Sequence, residues 1–348
     1  RAGGPMSELL CTVIPLCAWG SGALWFRVAG GPRSRGAAVT AWVLFTLATL
    51  LAMGRGHASM GLATFMAAFI VILVWWLRIE PANGREWADD VAQMTTGEVQ
   101  GDRVVVHNVR NFDWHTPAEY TQRWETRTYD LGRLSCVDMV LSYWTVQAIA
   151  HVLISFGFDD GQHIVFSVEI RREKNESFSA IGGFFKKFEL SIIACDERDV
   201  IRVRTNVRGE DDYLYRIRMP VPSMRSLFLS YIDEANKLAR TPRFYNTITV
   251  NCTTLVYQMM KRIIGHLPLD IRLLLSGYLP GYVYKVGGLD SRYCLPELRA
   301  LGRITERARR SGRRDSFSAD IREGIPPIAT QGLGQQPVTL SSRPPSTS

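Results

Sequence analysis

The chain alternates between long apolar runs near its beginning and a mixed pattern afterwards. Residues 9–26, 37–53 and 60–77 contain no charged side chain, and each run is 17 or 18 residues long. This length is at the lower end of what crosses a bilayer as a helix. Tryptophans near the ends of the runs favour the membrane interface. The pattern predicts a membrane domain over residues 1–78 with three transmembrane helices.

After Arg78 the pattern becomes that of a water-soluble protein. Residues 79–101 are predicted to form a polar juxtamembrane linker. A hairpin is predicted over residues 151–171, where the runs HVLISFGF and HIVFSVEIR flank an Asp-Gly turn. Ser223 is predicted to cap an amphipathic helix. Four other short runs have strand character: 103–109, 184–194, 200–204 and 213–218.

These elements predict an α+β domain over residues 102–310. From residue 311 onward the composition turns to Ser, Pro, Gln and Gly. Such a composition buries too little apolar surface to fold, so residues 311–348 are predicted to be a disordered tail.

The stretch over residues 244–264 (FYNTITVNCTTLVYQMMKRII) combines a short β-rich run with an amphipathic helix. Asn251 is a good N-cap residue, because its side-chain oxygen can accept hydrogen bonds from free first-turn amides. Cys252 then lies in the first turn, where the helix dipole favours a thiolate. This position makes Cys252 a candidate nucleophile. The alternative is a small, buried apolar residue, which is the commoner role of a lone cysteine.

A thiol nucleophile needs an imidazole within hydrogen-bond reach. The chain has six histidines, and His151 and His163 both lie on the predicted hairpin. At about 3.4 Å per residue they lie more than about 20 Å apart, so they cannot both serve one cysteine. His163 is predicted to lie beside the polar turn, opposite Phe158, whereas His151 begins a strand after an apolar segment and is predicted to face the interior. A purely structural role for His151 remains open.

The net charge and the cysteine spacing do not point to a further class of function. The net charge is +8, and much of it lies in the basic run at residues 303–314. Without zinc-ligand spacing or an RNA-binding aromatic motif, this run favours a solvated tail over nucleic-acid binding. The six cysteines form no CxxC pair and no disulfide framework. No metal or nucleotide motif is present in the sequence, so no cofactor is predicted.

Charge counting alone orients the membrane domain with the later residues inside. The first hinge carries Arg27, Arg33 and Arg35, whereas the second carries Arg55. The positive-inside rule then puts the first hinge, and everything after Leu77, in the cytoplasm. The difference is only two arginines.

Three stretches carry a resemblance to a known family: LSYWTVQAIAHVLISFGFDDG, RVRTNVRGEDDYLYRIRM and FYNTITVNCTTLVYQM. A histidine strand followed about a hundred residues later by an Asn-Cys pair resembles the circularly permuted papain-like (NlpC-type) fold. Residues 130–262 more closely resemble the family that includes the lipoprotein intramolecular transacylase Lnb. Ala150 departs from the glycine that often precedes the histidine in such proteins.

The resemblance implies a cysteine acyl-enzyme chemistry. Cys252 would be the nucleophile and His151 the base, with Asn251 or first-turn amides stabilising the oxyanion. Glu169 is a candidate orienting carboxylate. Arg204, Arg208 and Tyr213 are candidate substrate-binding residues, although ordinary strand-surface residues would look the same.

The resemblance also implies a location and a function. It places a multi-pass protein in a bacterial inner membrane with a periplasmic or extracellular catalytic domain, against the arginine count. The expected partner is the lipid bilayer, and the expected function is a thiol acyltransferase or hydrolase acting on lipoprotein or phospholipid acyl groups. A cell-wall peptidase or amidase with the same two residues is one alternative. A non-catalytic membrane assembly or binding protein is the other.

Overall fold

The computed structural model describes residues 5–328 of the chain. These residues form two compact units. The first, here the membrane unit, contains the chain up to Arg85 together with Asn175–Glu189 and Pro242–Thr247. The second, here the sheet unit, contains Glu86–Lys174, Leu190–Thr241 and the chain from Ile248 onward.

The membrane unit is built on three long helices: α1 (Pro5–Arg27), α2 (Pro32–Gly54) and α3 (Ala58–Leu77). The segments Glu8–Arg27, Pro32–Gly54 and Ala58–Leu77 are long and apolar enough to cross a membrane. No more than 22% of any span is buried, as expected where lipid rather than water surrounds the helices. The prediction of three N-terminal membrane helices is confirmed.

Small residues and tryptophan hold these helices together. The indole Nε1 of Trp42 donates a 3.0 Å hydrogen bond to the carbonyl oxygen of Cys17. A Cβ atom on Gly20 would lie 2.8 Å from that same Nε1, so a larger residue there would push α1 away from α2. Close approach at glycine is a common way for membrane helices to pack.

The described part of the sheet unit contains ten strands when the strand that begins at Glu189 is included. They are β1 (Thr96–Gln100), β2 (Arg103–Arg110), β3 (Asp113–Trp114), β4 (Tyr120–Thr121), β5 (Trp124–Asp130), β6 (Leu134–Tyr143), β7 (His151–Phe158), β8 (His163–Arg171), β9 (Glu189–Cys195) and β10 (Asp211–Arg216). Eight of them form one sheet in the order β1-β2-β9-β8-β7-β6-β10, with β5 also paired to β2. The predicted α+β domain is confirmed at this level.

Strands β7 and β8 form the predicted hairpin. Leu153 pairs with Ser167 and Gly157 pairs with His163. The register therefore differs by one residue from the predicted pairing of His163 with Phe158. Gly161 takes a φ of +83° in the turn, a conformation that glycine adopts without strain.

Helices cover both faces of the sheet. They are α4 (Glu197–Arg202), α5 (Val221–Arg240), α6 (Cys252–Ile264), α7 (Leu279–Lys285), α8 (Leu295–Gly302), α9 (Thr305–Ser311) and α10 (Phe317–Asp320). On one face Phe228 of α5 packs edge-on against Phe156 and Phe166. On the other, Leu153 and Val165 belong to a buried cluster that includes Ile201 of α4. His151 shares the face of Leu153, because side chains alternate along a strand.

Several local predictions are corrected by the structure. Residues 200–204, predicted as a strand, lie in α4 and in the π-helix Val203–Arg208 that follows it. Asp196 caps α4 by accepting a hydrogen bond from the Arg198 amide, which favours helix over strand. The helix predicted to begin at Ser223 begins at Val221, with Pro220 as its N-cap. Residues 246–250 form a turn rather than a β-rich run.

The boundaries of the sheet unit are also wider than predicted. Strand β1 lies within the predicted linker over residues 79–101. The start of the predicted disordered tail contains α10, where Phe317 is fully buried together with the adjacent Ile321. Residues 329–348 of the predicted tail lie outside the described residues.

Candidate active site

Helix α6 begins with a complete N-terminal cap. The side-chain Oδ1 of Asn251 accepts hydrogen bonds from the amides of Thr253 and Thr254, each 2.9 Å long. The Thr254 hydroxyl accepts a hydrogen bond from the Asn251 amide, which completes a reciprocal capping box. Cys252 is therefore the first residue of α6, as predicted, and its side chain is only partly buried.

The first residues of β7 face the Cys252 thiol. The His151 side chain and the backbone N–H of Val152 lie close enough to the sulfur to influence the pKa of Cys252. Burial alone would raise the pKa of Cys252, but the hydrogen bond and positive charge of His151 lower it. His151 and Cys252, which are about a hundred residues apart in the sequence, are thus neighbours in the folded chain.

Glu169 lies beside the imidazole on the neighbouring strand. Its Oε1 atom is 3.1 Å from Nε2 of His151. Burial alone would lower the pKa of His151, but the negative charge of Glu169 raises it to about 9. The positive charges of His151 and Arg204 hold the pKa of Glu169 well below its usual range, although burial opposes them. Both side chains are therefore charged at neutral pH, which favours a Cys252 thiolate.

Ser167 bridges this pair, and sequence reasoning missed it. Its hydroxyl oxygen lies 2.8 Å from Nε2 of His151 and donates a 2.6 Å hydrogen bond to Glu169. Ser167 and Glu169 therefore both lie at the same ring nitrogen of His151, Nε2. The sequence signal was the alternation of β8, which puts residues 167 and 169 on one face.

Arg204 holds Glu169 from the π-helix. Its guanidinium lies 3.5 Å from Glu169 and 3.1 Å from Glu210. Only 9% of its side chain is exposed, so it supports the carboxylate rather than lying on the surface. Arg208, one helical turn further on, is 35% exposed and lies 3.9 Å from Glu210. The sequence offered no route to Glu210, because its role depends on where Arg204 is placed.

A third buried carboxyl group, that of Asp212, lies next to Glu210 and Ser142. The Ser142 hydroxyl contacts Glu210 and lies 2.5 Å from Oδ1 of Asp212. A hydroxyl has one proton, so it cannot donate to two carboxylates at once. Burial raises the pKa of Asp212 to about 7. Of the two carboxyl groups at Ser142, Asp212 therefore takes up a proton more readily, because the Arg204 charge keeps the pKa of Glu210 low against the effect of burial.

Tyr213 occupies a different environment. Its hydroxyl donates a 2.8 Å hydrogen bond to Asp211, and its ring packs edge-on against Tyr143. The guanidinium of Arg299 lies over the ring, 4.6 Å from its centroid. The structure therefore places Glu169 beside His151 and Arg204 beside Glu169. Arg208 lies near Glu210. Tyr213 lies apart from them, against Tyr143 and Arg299.

The cap restricts which first-turn amide can bind an oxyanion. Helix N-termini leave four amides without intrahelical partners. In α6 the Thr253 and Thr254 amides donate to the Asn251 side chain, and the Asn251 amide donates to the Thr254 hydroxyl at 2.9 Å. The Cys252 amide is the remaining one of the four. The Oδ1 atom of Asn251 therefore caps the helix, and the Cys252 amide is the one left to bind an oxyanion.

Metal ligation is not a feature of the part of the chain that the structure describes. No group of three or more His, Cys, Asp or Glu side chains there is arranged to hold a metal ion.

Comparison with known families locates this site within a recognised domain. Residues 120–277 match the family model of the Lnb N-terminal periplasmic domain. The matched region runs from β4 through α6 and contains Cys252, His151 and every other predicted site residue. No curated protein and no solved structure matches the chain.

The Lnb match also bears on location. The chain has three candidate membrane spans and a domain described as periplasmic. The predicted location, a multi-pass membrane protein with a periplasmic domain, is confirmed. The opposite orientation, derived from the arginine count, is wrong, since three hinge arginines against one give too small a bias.

Proposed function

We propose that the Lnb-like domain is a thiol acyltransferase or hydrolase of permuted papain type that acts on lipid-linked acyl groups. The observation that carries this proposal is the position of His151, which lies 3.1 Å from Glu169 and close enough to Cys252 to lower the pKa of its thiol. A nucleophile, a base and a group that orients the base are the three parts that covalent acyl transfer needs.

The proposed reaction has two stages. The Cys252 thiolate attacks the carbonyl carbon of an ester or amide, and the Cys252 amide donates to the oxyanion that forms. His151 then gives its proton to the leaving alcohol or amine, which leaves a thioester on Cys252. In the second stage His151 takes a proton from water or from an acceptor amine or alcohol, which attacks the thioester and releases the thiolate.

An exposed apolar surface supports an acyl substrate over a polar peptide. The residues that follow α6 include Leu269, which is 81% exposed, and Ile271, which is 64% exposed. The loop that leads into β7 adds Val146, at 56%. These two segments are joined, because the Gly277 amide donates a 3.0 Å hydrogen bond to the Ala148 carbonyl. A contiguous exposed apolar patch is typical of an interaction site, including a lipid-binding site.

The remaining substrate-binding candidates are proposed in different roles. Arg208 is the partly exposed cation beside the buried charges, so we propose it as a contact for an anionic headgroup. Glu169 and Arg204 are proposed to position His151 rather than to touch substrate. Tyr213 is a weaker candidate for substrate contact, since its hydroxyl is engaged by Asp211.

The test uses the full-length protein in proteoliposomes that contain a phospholipid with an alkyne-tagged acyl chain. We expect the tag to appear on the protein as a thioester that hydroxylamine removes. Cys252→Ala should abolish this labelling, whereas Cys294→Ala, which changes another exposed cysteine, should leave it intact.

The alternatives give different results in the same system. Cleavage of a cell-wall peptide that depends on Cys252, without acyl labelling, would favour the peptidase. Acyl labelling that persists in Cys252→Ala would rule out Cys252 as the acyl carrier. If the wild type shows neither activity, the non-catalytic binding protein is favoured.

A further inference from the structure

Residues 175–189, here called the interfacial segment, belong to the membrane unit although they are distant in sequence from its helices. The segment contains a short 3₁₀ turn, Gly182–Phe185, and a high proportion of phenylalanine. Its apolar side chains divide into an inward set that packs on the helices and an outward set that is exposed.

The inward set is anchored by Phe185, which packs on one face of α1. Its ring stacks on Phe26 with centroids 5.7 Å apart and lies 6.2 Å from the Trp19 ring. Gly22 makes room for it, because a Cβ atom there would lie 2.3 Å from the Phe185 ring. Gly22 is five residues before the end of α1, so at 1.5 Å per residue Phe185 contacts the helix about 7.5 Å inside that end.

Lys186 fixes the same segment to the end of α3. Its ammonium group donates to the carbonyl oxygens of Trp76 and Ile79, at 3.0 and 3.1 Å. In return, the guanidinium of Arg27 donates a 2.9 Å hydrogen bond to the Lys186 carbonyl. The segment is therefore held at the ends of two candidate spans, α1 and α3. Cations that extend from the ends of membrane helices lie at the level of the lipid headgroups.

The outward set has no protein cover in the described residues. Phe178 is 60% exposed and Ile181 is 62% exposed, and Phe184 beside the anchored Phe185 is also exposed. On a water-soluble protein, such an exposed apolar patch would face water. Here it extends from a turn whose neighbouring ring already reaches inside the end of a membrane helix, so lipid is the adjoining medium.

We propose that the interfacial segment lies in the interfacial layer of the bilayer, with Phe178, Ile181 and Phe184 in direct contact with lipid. The partner is the bilayer itself rather than a protein. Aromatic and aliphatic side chains next to Lys and Arg are the composition that this layer favours. The segment is thus a second membrane attachment, separate along the chain from the three spans.

The experiment measures depth directly. A fluorescent amino acid replaces Phe178, Ile181 or Phe184, one at a time, in the full-length protein reconstituted into phosphatidylcholine bilayers. Quenching is then compared between lipids brominated near the carbonyl end and near the methyl end of the acyl chain. Val71 in the middle of α3 is the deep reference, and Gln162 in the β7–β8 turn is the aqueous reference.

We expect quenching at all three positions, and stronger quenching by the shallow bromines than by the deep ones. Val71 should show the reverse order, and Gln162 should show no quenching. Values at residues 178 and 181 equal to those at Gln162 would overturn the proposal, and a protein partner would then be the occupant to seek.

A second variant separates insertion from an effect of the label. Gly22→Leu fills the space that Phe185 occupies, so it should lower the quenching at residue 184. Gly54→Leu is the matched control, because a Cβ atom at Gly54 meets nothing within 4 Å. Equal quenching in the two variants would mean that Phe185 does not set the depth of the segment, which contradicts the proposal.

Discussion

Nε2 of His151 lies 3.1 Å from Oε1 of Glu169, on adjacent strands of one hairpin. This contact fixes the orientation of the imidazole through Nε2. It also keeps the ring protonated to higher pH, because the carboxylate raises the pKa of His151 to about 9 against the effect of burial. The hairpin register therefore sets both the direction and the charge of the candidate base.

Glu169→Gln should weaken the thiolate of Cys252. Without the carboxylate the pKa of His151 falls, and a neutral imidazole stabilises the thiolate less, so the pKa of Cys252 rises. We expect the pH of half-maximal Cys252 alkylation by iodoacetamide to move upward, as followed by mass spectrometry. The basic limb of any pH–rate profile should move downward.

Glu306→Gln is the control for this prediction, since Glu306 is an exposed carboxylate in α9 that pairs with Arg309. Its alkylation profile should match that of the wild type. If Glu169→Gln also matches the wild type, the contact between Glu169 and His151 does not control the thiol.

Asn251→Ala should destabilise the start of α6. Losing an N-cap side chain costs about 1 kcal/mol in typical helices. The freed amides of Thr253 and Thr254 should exchange hydrogen faster, which hydrogen-exchange mass spectrometry can follow. Asn251→Ser keeps a capping oxygen and should retain most of the protection. Equal exchange in both variants would mean that the cap does not hold this turn.

How far the site could be predicted depends on how local each signal is. The Asn251 cap and the Asp-Gly turn are set by neighbouring residues, so the start of α6 and the hairpin could both be read from sequence. The pairing of His151 with Cys252 is not local, and it came from the resemblance rather than from spacing. The one-residue difference in register arose at the turn, where Phe158 bonds to Gln162.

The buried charges could not be predicted in the same way. Arg204 was assigned to a strand, where it would alternate onto the surface, whereas the π-helix turns it inward toward Glu169. Ser142, Glu210 and Asp212 become significant only because Arg204 lies between the carboxylates. Spacing in the sequence carries no information about such a contact, because the residues belong to different elements and meet only in the folded protein.

Arg204→Met should be strongly destabilising. Arg204 lies between Glu169 and Glu210, and its loss leaves two buried carboxylates without their shared cation. Breaking a buried ion pair in this way typically costs about 3–5 kcal/mol. We expect a large fall in the melting temperature of the detergent-solubilised protein.

Arg208→Met is the matched control for Arg204. Its side chain is 35% exposed and lies 3.9 Å from Glu210, so its loss should have a small effect on melting. Similar melting temperatures for the two variants would contradict a supporting role for Arg204.

Asp212→Asn should reduce the pH dependence of stability. Burial raises the pKa of Asp212 from 3.8 to about 7, so the folded protein holds a proton that the unfolded chain releases. The stability from this group is complete below pH 3.8 and is lost as the pH rises through 7. The shift corresponds to at most about 4 kcal/mol. Asparagine cannot ionise, so between pH 5 and 8 the melting temperature of the variant should fall less than that of the wild type.

Asp159→Asn, at a carboxylate with 59% of its side chain exposed, should follow the wild-type curve. If Asp212→Asn follows it as well, Asp212 is ionised in the folded protein, and the proton beside Ser142 must reside on Glu210.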